Sequence, residues 1–248
     1  MATALPAHGI RRRSRPCATD PMAGGGSPNF GERRGGATPE LIVIHYTAME
    51  SCAAARARLC DPQAEVSAHW LISETGEAIA LVAEEMRAWH AGAGAWGGLE
   101  DVNSRSIGIE LANRGDAPFP EPQMAALERL LRAIMARWGI PPEGVIAHSD
   151  LAPGRKSDPG PRFDWRRLAL QGLAVWSDAQ SGPLPALPVF AALAQTLGYP
   201  PVADDTLLAA FRMRFNPRAE GPLSDLDMAR MADLAARFGA DGDQWRGA

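Results

Sequence analysis

The chain has 248 residues, of which 46% are hydrophobic and 22% are charged, and these proportions are typical of a folded protein with a full apolar core. This length suits one large domain, or one domain with a small partner domain. The formal net charge of -4 at pH 7 gives no reason to expect nucleic acid as a partner, and no apolar run approaches the ~18 residues that a membrane span requires.

Residues 1–37 are rich in Gly, Pro and Ser and lack hydrophobic periodicity, so we expect a disordered tail that ends at the first strand. A basic cluster, RRRSR, lies in this tail at residues 11–15. A solvated tail explains the cluster better than a nucleic-acid-binding patch does. The tail also lacks the apolar segment that follows the basic residues of an export signal.

The three cysteines, Cys17, Cys52 and Cys60, do not make a disulfide framework. Cys52 and Cys60 fall on one predicted helix, where about 12 Å separates them, which is too far for a bridge. Reduced thiols and the missing export signal together predict a cytoplasmic protein.

The first predicted element is a strand at residues 40–46, ELIVIHY, because a continuous apolar run of this length is typical of a strand buried on both faces. Residues 51–60 follow as a helix, with Ser51 as its N-cap. Residues 67–73 and 77–83 are separated by ETG and predict a hairpin.

A further strand is predicted at residues 106–112. Residues 123–139 repeat apolar side chains at helical spacing, and Gly139 marks the end of that helix. A short strand at 144–149 and a helix at 163–174 complete the pattern. This alternation predicts an α/β domain with a mixed central β-sheet flanked by helices.

The predicted domains are a catalytic domain at residues 38–178, a Pro-rich linker at 179–188 and a small all-α C-terminal module at 189–248. The module contains three short helical segments. In the last of them, Ser224 and Asp227 resemble a capping box.

Five residues carry chemistry: His45 and His148 at the ends of two apolar strands, Glu110 inside a third, and Lys156 and Asp158 in a rigid Gly/Pro loop. Each alone has an ordinary explanation, as a hydrogen-bonded core histidine, a solvent-facing Glu or a turn Asp. Together, two imidazoles and one carboxylate at the carboxyl ends of strands make a candidate zinc site.

Hydrolysis at such a site also needs a base and a group that stabilises an oxyanion. Glu110 and Lys156 are the right residue types for these roles. The histidines are far apart in sequence and no HExxH helix is present, so the residues alone leave a zinc hydrolase and a purely structural explanation both open.

Four segments resemble the zinc-dependent N-acetylmuramoyl-L-alanine amidases, a family whose fold is shared with the peptidoglycan-recognition proteins. In chain order they are LIVIHYTAM, VSAHWLISETGEAIALVAEEMRAWHAG, NSRSIGIELAN and VIAHSDLAPGRKSDPGPRFDW. Four linked segments in the family's order make the resemblance specific over residues 40–170.

The resemblance implies Zn²⁺ bound by His45, His148 and Asp158, a water activated by Glu110, and Lys156 near the oxyanion. It also implies a substrate, peptidoglycan or a muropeptide, cleaved at the amide between the lactyl group of N-acetylmuramic acid and L-alanine. Whether the polymer or a soluble muropeptide is cut stays open, as does the oligomeric state.

Three more residues are predicted to bind substrate. In the family's pattern Trp89 and His90 line the groove near the zinc, although Trp89 is equally consistent with a core aromatic. Arg155 has the planar fork that suits a substrate carboxylate, or is a solvated loop residue. His69 is expected to have a buried, hydrogen-bonded role, and for Asn103 we leave substrate contact and turn capping open.

Residues 198–238 look like the small helical peptidoglycan-binding module found in some of these amidases. The alternative is a helical appendage that packs on the catalytic domain. Two other functions are weighed: a recognition protein that binds peptidoglycan without cutting it, which loss of a zinc ligand would mark, and an endolysin-like hydrolase of another bond.

Overall fold

The computed structural model describes residues 26–239, so the basic cluster at 11–15 and Cys17 lie outside the described residues. A five-stranded mixed sheet forms the centre of the fold. With a small antiparallel pair, the strands are β1 (Phe30–Gly31), β2 (Leu41–Tyr46), β3 (Trp70–Ile72), β4 (Ala78–Ala80), β5 (Arg87–Ala88), β6 (Ser106–Leu111) and β7 (Val145–Ala147).

The order of strands across the central sheet is β4-β3-β6-β2-β7. Strand β2 runs parallel to both β6 and β7, and β6 runs parallel to β3, while β4 returns antiparallel in the predicted hairpin. The carboxyl ends of β2, β6 and β7 therefore meet at one edge of the sheet. His45 lies opposite Glu110 in this register, so both reach that edge.

Eight helices are described, and the prediction of a mixed sheet flanked by helices is confirmed. They are α1 (Cys52–Leu59), α2 (Val102–Arg105), α3 (Glu121–Trp138), α4 (His148–Leu151), α5 (Trp165–Ala169), α6 (Leu187–Leu197), α7 (Asp204–Phe215) and α8 (Asp225–Phe238). The Ser51 hydroxyl caps α1 by accepting from the Ala54 N–H, and Ser224 with Asp227 forms the predicted capping box of α8.

The two faces of the sheet are buried by different helices. On one face Ile42 and Ile44 share an apolar core with Leu127 and Leu131 of α3. The strand residues in between, such as Val43, face the other side and share a core with α6, α7 and α8. This alternation has the period of two that a strand buried on both faces requires.

The predicted tail is too long, because the chain packs on the domain well before residue 37. The Ser27 hydroxyl donates to the Leu59 carbonyl at 2.5 Å, and the Asn29 amide donates to the Val66 carbonyl at 2.9 Å. Arg33 donates to backbone carbonyls that include that of Ser104 at 2.8 Å. These polar contacts leave no hydrophobic periodicity for a sequence pattern to detect.

Two other boundaries differ from the predictions. The closing helix, predicted over 163–174, is limited to Trp165–Ala169, with Asp164 as its N-cap. The Pro-rich linker ends before residue 188 because α6 begins at Leu187. The three helices after the linker share one core with the sheet, so they pack on the catalytic domain.

Over residues 26–239, the structure contains no helix with both the length and the apolarity to cross a membrane.

Candidate active site

The three predicted metal ligands come from neighbouring elements at one edge of the sheet. His45 lies in β2, and His148 begins α4 directly after β7. Asp158 follows α4 in the Gly/Pro-rich loop, and its carbonyl accepts from the Ser149 N–H at 3.0 Å, which ties the loop back to α4. Because β2 and β7 are adjacent and parallel, residues far apart in sequence meet here.

The ligand atoms of these side chains all lie within 4.8 Å of one another. The Nδ1 atom of His45 is 2.8 Å from Oδ2 of Asp158, and the Nδ1 atom of His148 is 3.0 Å from the same oxygen. All three side chains are buried. Two imidazole nitrogens and a carboxylate oxygen are a donor set that zinc prefers.

The remote nitrogen of each histidine also has a partner. Nε2 of His148 donates to the Ala91 carbonyl at 2.9 Å, and Nε2 of His45 is 3.1 Å from Nδ1 of His90. Such partners orient histidines that bind metals through the other nitrogen. The residues present therefore fit a zinc ion.

The electrostatics of the site favour the protonation states that bind a metal. Burial, and then the neighbouring His148, lower the pKa of His45 to about 4. Burial opposes ionisation of Asp158, but its side-chain contacts with His148 and His45 hold the pKa of this carboxyl well below its usual value. A neutral imidazole and an ionised carboxylate are the ligand forms that metal binding requires.

Glu110 has the properties of a group that can exchange a proton. Its Oε2 atom is buried and has no hydrogen-bond partner among the described residues. Burial, and then the nearby Asp158, raise the pKa of Glu110 to about 8. A carboxyl with a free oxygen and a pKa near the working pH is suited to general acid–base catalysis.

A cavity of about 360 Å³ brings all the predicted site residues together. Its walls include every one of them: His45, Trp89, His90, Glu110, His148, Arg155, Lys156 and Asp158. The last turn of α1 adds Arg58 to the same wall. Sequence reasoning missed Arg58, because a lone Arg on a helix is usually a solvated surface residue.

The contacts of His90 and Arg155 differ from those expected of substrate-binding residues. Both ring nitrogens of His90 have protein partners, His45 at 3.1 Å and the Ser106 hydroxyl at 3.3 Å. Arg155 donates to the Ala91 carbonyl at 2.7 Å and to the Ala93 carbonyl. His90 and Arg155 are thus both hydrogen-bonded to other groups of the protein.

Asn103, which the sequence left open, and His69 also have internal roles. The amide oxygen of Asn103 accepts from the N–H groups of His90 and Ala91 at 3.0 and 2.8 Å. His69 is fully buried, and its Nδ1 accepts from the Gly108 N–H at 2.9 Å. The buried, hydrogen-bonded role predicted for His69 is confirmed.

A buried polar network joins the site to the C-terminal helices. Asp150, in α4, accepts from the Tyr199 hydroxyl at 2.7 Å and from the Arg214 guanidinium at 2.6 Å. It also accepts from the Ala147 N–H at 2.9 Å. Asp150 lies two residues after His148, so these contacts fix the helix that begins with His148.

Comparison with known proteins assigns these features to one family. Residues 35–161 match the family model described as N-acetylmuramoyl-L-alanine amidase. The chain is 38% identical over 235 residues to the N-acetylmuramoyl-L-alanine amidase AmiD of Escherichia coli strain K12, covering 82% of this chain and 84% of AmiD. It is 35% identical over 159 residues to the 1,6-anhydro-N-acetylmuramyl-L-alanine amidase AmpD of the same organism, covering 57% of this chain and 87% of AmpD.

Solved structures extend the match beyond residues 35–161. Escherichia coli AmiD, in complex with the substrate anhydro-N-acetylmuramic acid-L-Ala-D-γ-Glu-L-Lys, matches with a TM-score of 0.75 and 34% identity, over 86% of this chain and 99% of that one. AmpDh3 from Pseudomonas aeruginosa, in complex with an anhydromuramic pentapeptide, has a TM-score of 0.74 and 30% identity, over 90% of this chain and 100% of that one.

Proposed function

This chain belongs to the N-acetylmuramoyl-L-alanine amidase family, and from that premise we propose that His45, His148 and Asp158 hold zinc while Glu110 and Lys156 carry out the hydrolysis. The enzyme cleaves the amide bond between N-acetylmuramic acid and L-alanine in muropeptides, a reaction of cell-wall recycling. One observation carries the assignment of roles: three ligand atoms within 4.8 Å of one another share a cavity with Glu110 and Lys156.

The chemistry follows from the positions of these side chains. When bound, zinc supplies Lewis acidity and lowers the pKa of a water molecule to about 7. Glu110 takes a proton from the attacking water at its unpartnered Oε2 atom. The ammonium of Lys156 stabilises the oxyanion that forms on the carbonyl oxygen. As the C–N bond breaks, Glu110 returns the proton to the amino group of L-alanine.

We propose an anhydro-muropeptide as the substrate class. The support is that AmiD and AmpDh3, the relatives with the highest structural similarity described above, have structures with anhydromuramic peptides. A stem peptide carries carboxylates, and Arg58 on the cavity wall offers a guanidinium with matching geometry. Trp89, on the same wall, offers an apolar surface for the sugar or the peptide.

In this proposal residues 38–178 carry the catalytic machinery. A peptidoglycan-binding role for the C-terminal helices and a cytoplasmic location both stay predictions. Cell fractionation tests the location. An assay that compares soluble anhydro-muropeptides with intact sacculi tests the binding role and the substrate class. A protein found outside the cytoplasm that prefers sacculi would contradict the location and the substrate class at once.

The test of the proposed function measures zinc content and stem-peptide release by mass spectrometry. We expect the purified wild-type protein to bind about one zinc per chain and to lose activity with a chelator. Asp158→Ala should lose zinc and activity together. Glu110→Gln should keep zinc while turnover falls about 10²-fold or more, as expected on losing a general base.

Asp164 provides a matched control for these variants. It is a carboxylate in the same stretch of chain, but its side chain caps α5 by accepting from the Arg167 N–H at 3.0 Å. Asp164→Asn should therefore keep both zinc and turnover. Zinc retained in Asp158→Ala would remove Asp158 from the ligand set, and normal turnover in Glu110→Gln would assign the base to another residue.

A further inference from the structure

One dipeptide, His90–Ala91, contacts both candidate zinc-binding histidines. The ring of His90 lies 3.1 Å from Nε2 of His45, and the carbonyl of Ala91 accepts from Nε2 of His148 at 2.9 Å. A histidine binds a metal through a nitrogen that carries no proton. The partner of the remote nitrogen therefore decides whether Nδ1 is free to bind.

The direction of the hydrogen bonds around His90 is fixed by Ser106. The single hydroxyl proton of Ser106 is donated to the Val102 carbonyl, which lies 2.6 Å away. The Ser106 oxygen can then only accept from Nε2 of His90, at 3.3 Å. Because a neutral imidazole has one donor and one acceptor, Nδ1 of His90 must accept from Nε2 of His45.

This direction leaves the lone pair of His45 on Nδ1, the atom that faces Asp158 at 2.8 Å. A bound cation would satisfy both that lone pair and the Asp158 carboxylate. The reverse direction would place the lone pair of His90 Nε2 against the oxygen of Ser106, where neither a proton nor a metal ligand set lies between them. The relay from Val102 through Ser106 and His90 therefore selects the tautomer of His45 that binds a metal.

His148 is set in the same way by a simpler partner. A backbone carbonyl only accepts, so the Ala91 carbonyl requires the proton of His148 to lie on Nε2. The lone pair then lies on Nδ1, which faces Asp158 at 3.0 Å.

Contacts with Asn103 and with strand β6 fix the position of the dipeptide. The amide oxygen of Asn103 holds the N–H groups of His90 and Ala91. The His90 ring packs against β6 at Gly108, where a Cβ atom would come within 2.4 Å of the ring. Any larger residue at position 108 would displace His90, so this contact requires glycine.

We infer that His90 is a positioning residue that presets the metal-binding tautomer of His45, while the Ala91 carbonyl does the same for His148. The inference rests on the proposed zinc site and deepens it. It replaces the substrate-binding role that the sequence predicted for His90, since both ring nitrogens of this residue are used inside the protein.

Two substitutions of similar size separate this role from simple packing. In His90→Asn the side-chain carbonyl can occupy the place of Nδ1 and accept from His45. In His90→Gln the amide group reaches the place of Nε2 instead and leaves His45 without its acceptor. Zinc affinity, measured by competition with a chromophoric chelator, should fall about 10- to 100-fold in His90→Gln, the range typical of lost outer-shell partners. His90→Asn should retain most of the wild-type affinity.

Trp89→Leu is the matched control, because Trp89 lines the same cavity without a hydrogen bond to either histidine, and it should keep wild-type zinc affinity. Equal zinc affinities in His90→Gln and His90→Asn, whether both normal or both weak, would overturn the inference. A wild-type protein that binds no zinc would instead contradict the proposed function.

A measurement on the wild-type protein avoids any question of variant folding. Nitrogen-15 NMR of the zinc-loaded chain should place the ring proton on Nε2 in both His45 and His90. A proton on Nδ1 of His90 would reverse the relay and overturn the inference.

Discussion

The two faces of the central sheet are closed in different ways. The long helix α3, with the short helix α5 beside it, covers one face and packs Leu127, Leu131 and Ile134 in one apolar core with the strands. Three short helices cover the other face, and they add a buried ion pair between Arg214 and Asp150 to their apolar core. One face therefore stabilises the sheet, and the other also reaches the end of the sheet where the candidate site lies.

The ion pair between Arg214 and Asp150 connects the C-terminal helices to the elements that carry the candidate site. Arg214 also donates to the Val145 carbonyl at 3.1 Å, and its guanidinium lies 4.0 Å from the centre of the Trp165 ring. It thus holds β7, α5 and α4 together just where β7 leads into His148. The C-terminal helices act as part of the scaffold of the site, whatever they bind at their outer surface.

Removing one face is the most drastic test of this difference. Deletion of residues 185–248 would expose Leu41, Val43 and Ile146 and leave Asp150 buried without its cation. We expect a chain that no longer unfolds cooperatively and releases no stem peptide even from a soluble muropeptide. Thermal unfolding and mass spectrometry of the products measure both.

A folded, active truncated chain would support the prediction that residues 189–248 form a separate peptidoglycan-binding module. A truncated chain that unfolds cooperatively, turns over soluble muropeptides normally and fails only to bind sacculi would make the helices an independent binding module.

Two neighbouring arginines of α7 allow a finer test. Arg214 pairs with Asp150 beside the site, whereas Arg212 pairs with Asp227 inside the helical region. Breaking either buried pair by substitution with Met should lower the free energy of unfolding by about 3–5 kcal/mol. Only Arg214→Met should also weaken zinc binding, by about tenfold, the low end for residues that orient metal ligands.

Denaturant unfolding of the metal-free chain and chelator competition give the two quantities separately. If Arg212→Met weakens zinc binding as much as Arg214→Met does, the loss reflects general destabilisation. The C-terminal helices would then stabilise the sheet without positioning the candidate site.

The parts of the fold that the sequence predicted are those with a local signal. The strand at 40–46 is a continuous apolar run, the hairpin is two strand-like segments around a turn, and helix α3 repeats apolar residues at helical spacing. Each is present in the structure. The packing of the chain around Asn29 and Arg33 had no such signal, because it depends on hydrogen bonds to residues 32 or more positions away.

The Pro-rich stretch at 181–188 posed a related problem. Prolines predict a break in secondary structure, but they do not tell whether the helices beyond it pack back on the sheet. The core shared by Val43 and Phe211 becomes apparent only in three dimensions.

In the candidate site too, the sequence identified some residues and missed others. His45, His148 and Glu110 could be grouped because parallel strands bring their carboxyl ends together. Their supporting residues could not, since Ser106 is an ordinary strand residue in the sequence and Asp150 lies 64 positions from Arg214. Chemistry-bearing residues are visible in a sequence, whereas the residues that orient them become visible through contacts.

The smallest expected effect concerns the hydroxyl of Tyr199, the neutral contact in the network around Asp150. Burial, and then Asp150, raise the pKa of Tyr199 well above its ordinary value, so the hydroxyl keeps its proton and donates at neutral pH. Tyr199→Phe leaves one oxygen of the buried Asp150 without its partner and should lower the free energy of unfolding by about 1–3 kcal/mol.

Tyr46, the only other tyrosine in the sequence, supplies the control. Its hydroxyl contacts Ser157 at 3.1 Å in an exposed position, so Tyr46→Phe should change the free energy of unfolding by less than about 0.5 kcal/mol. Because Arg214 still pairs with Asp150 in Tyr199→Phe, its zinc affinity should fall less than in Arg214→Met. An equal fall would mean that the hydroxyl, rather than the ion pair, links the C-terminal helices to His148.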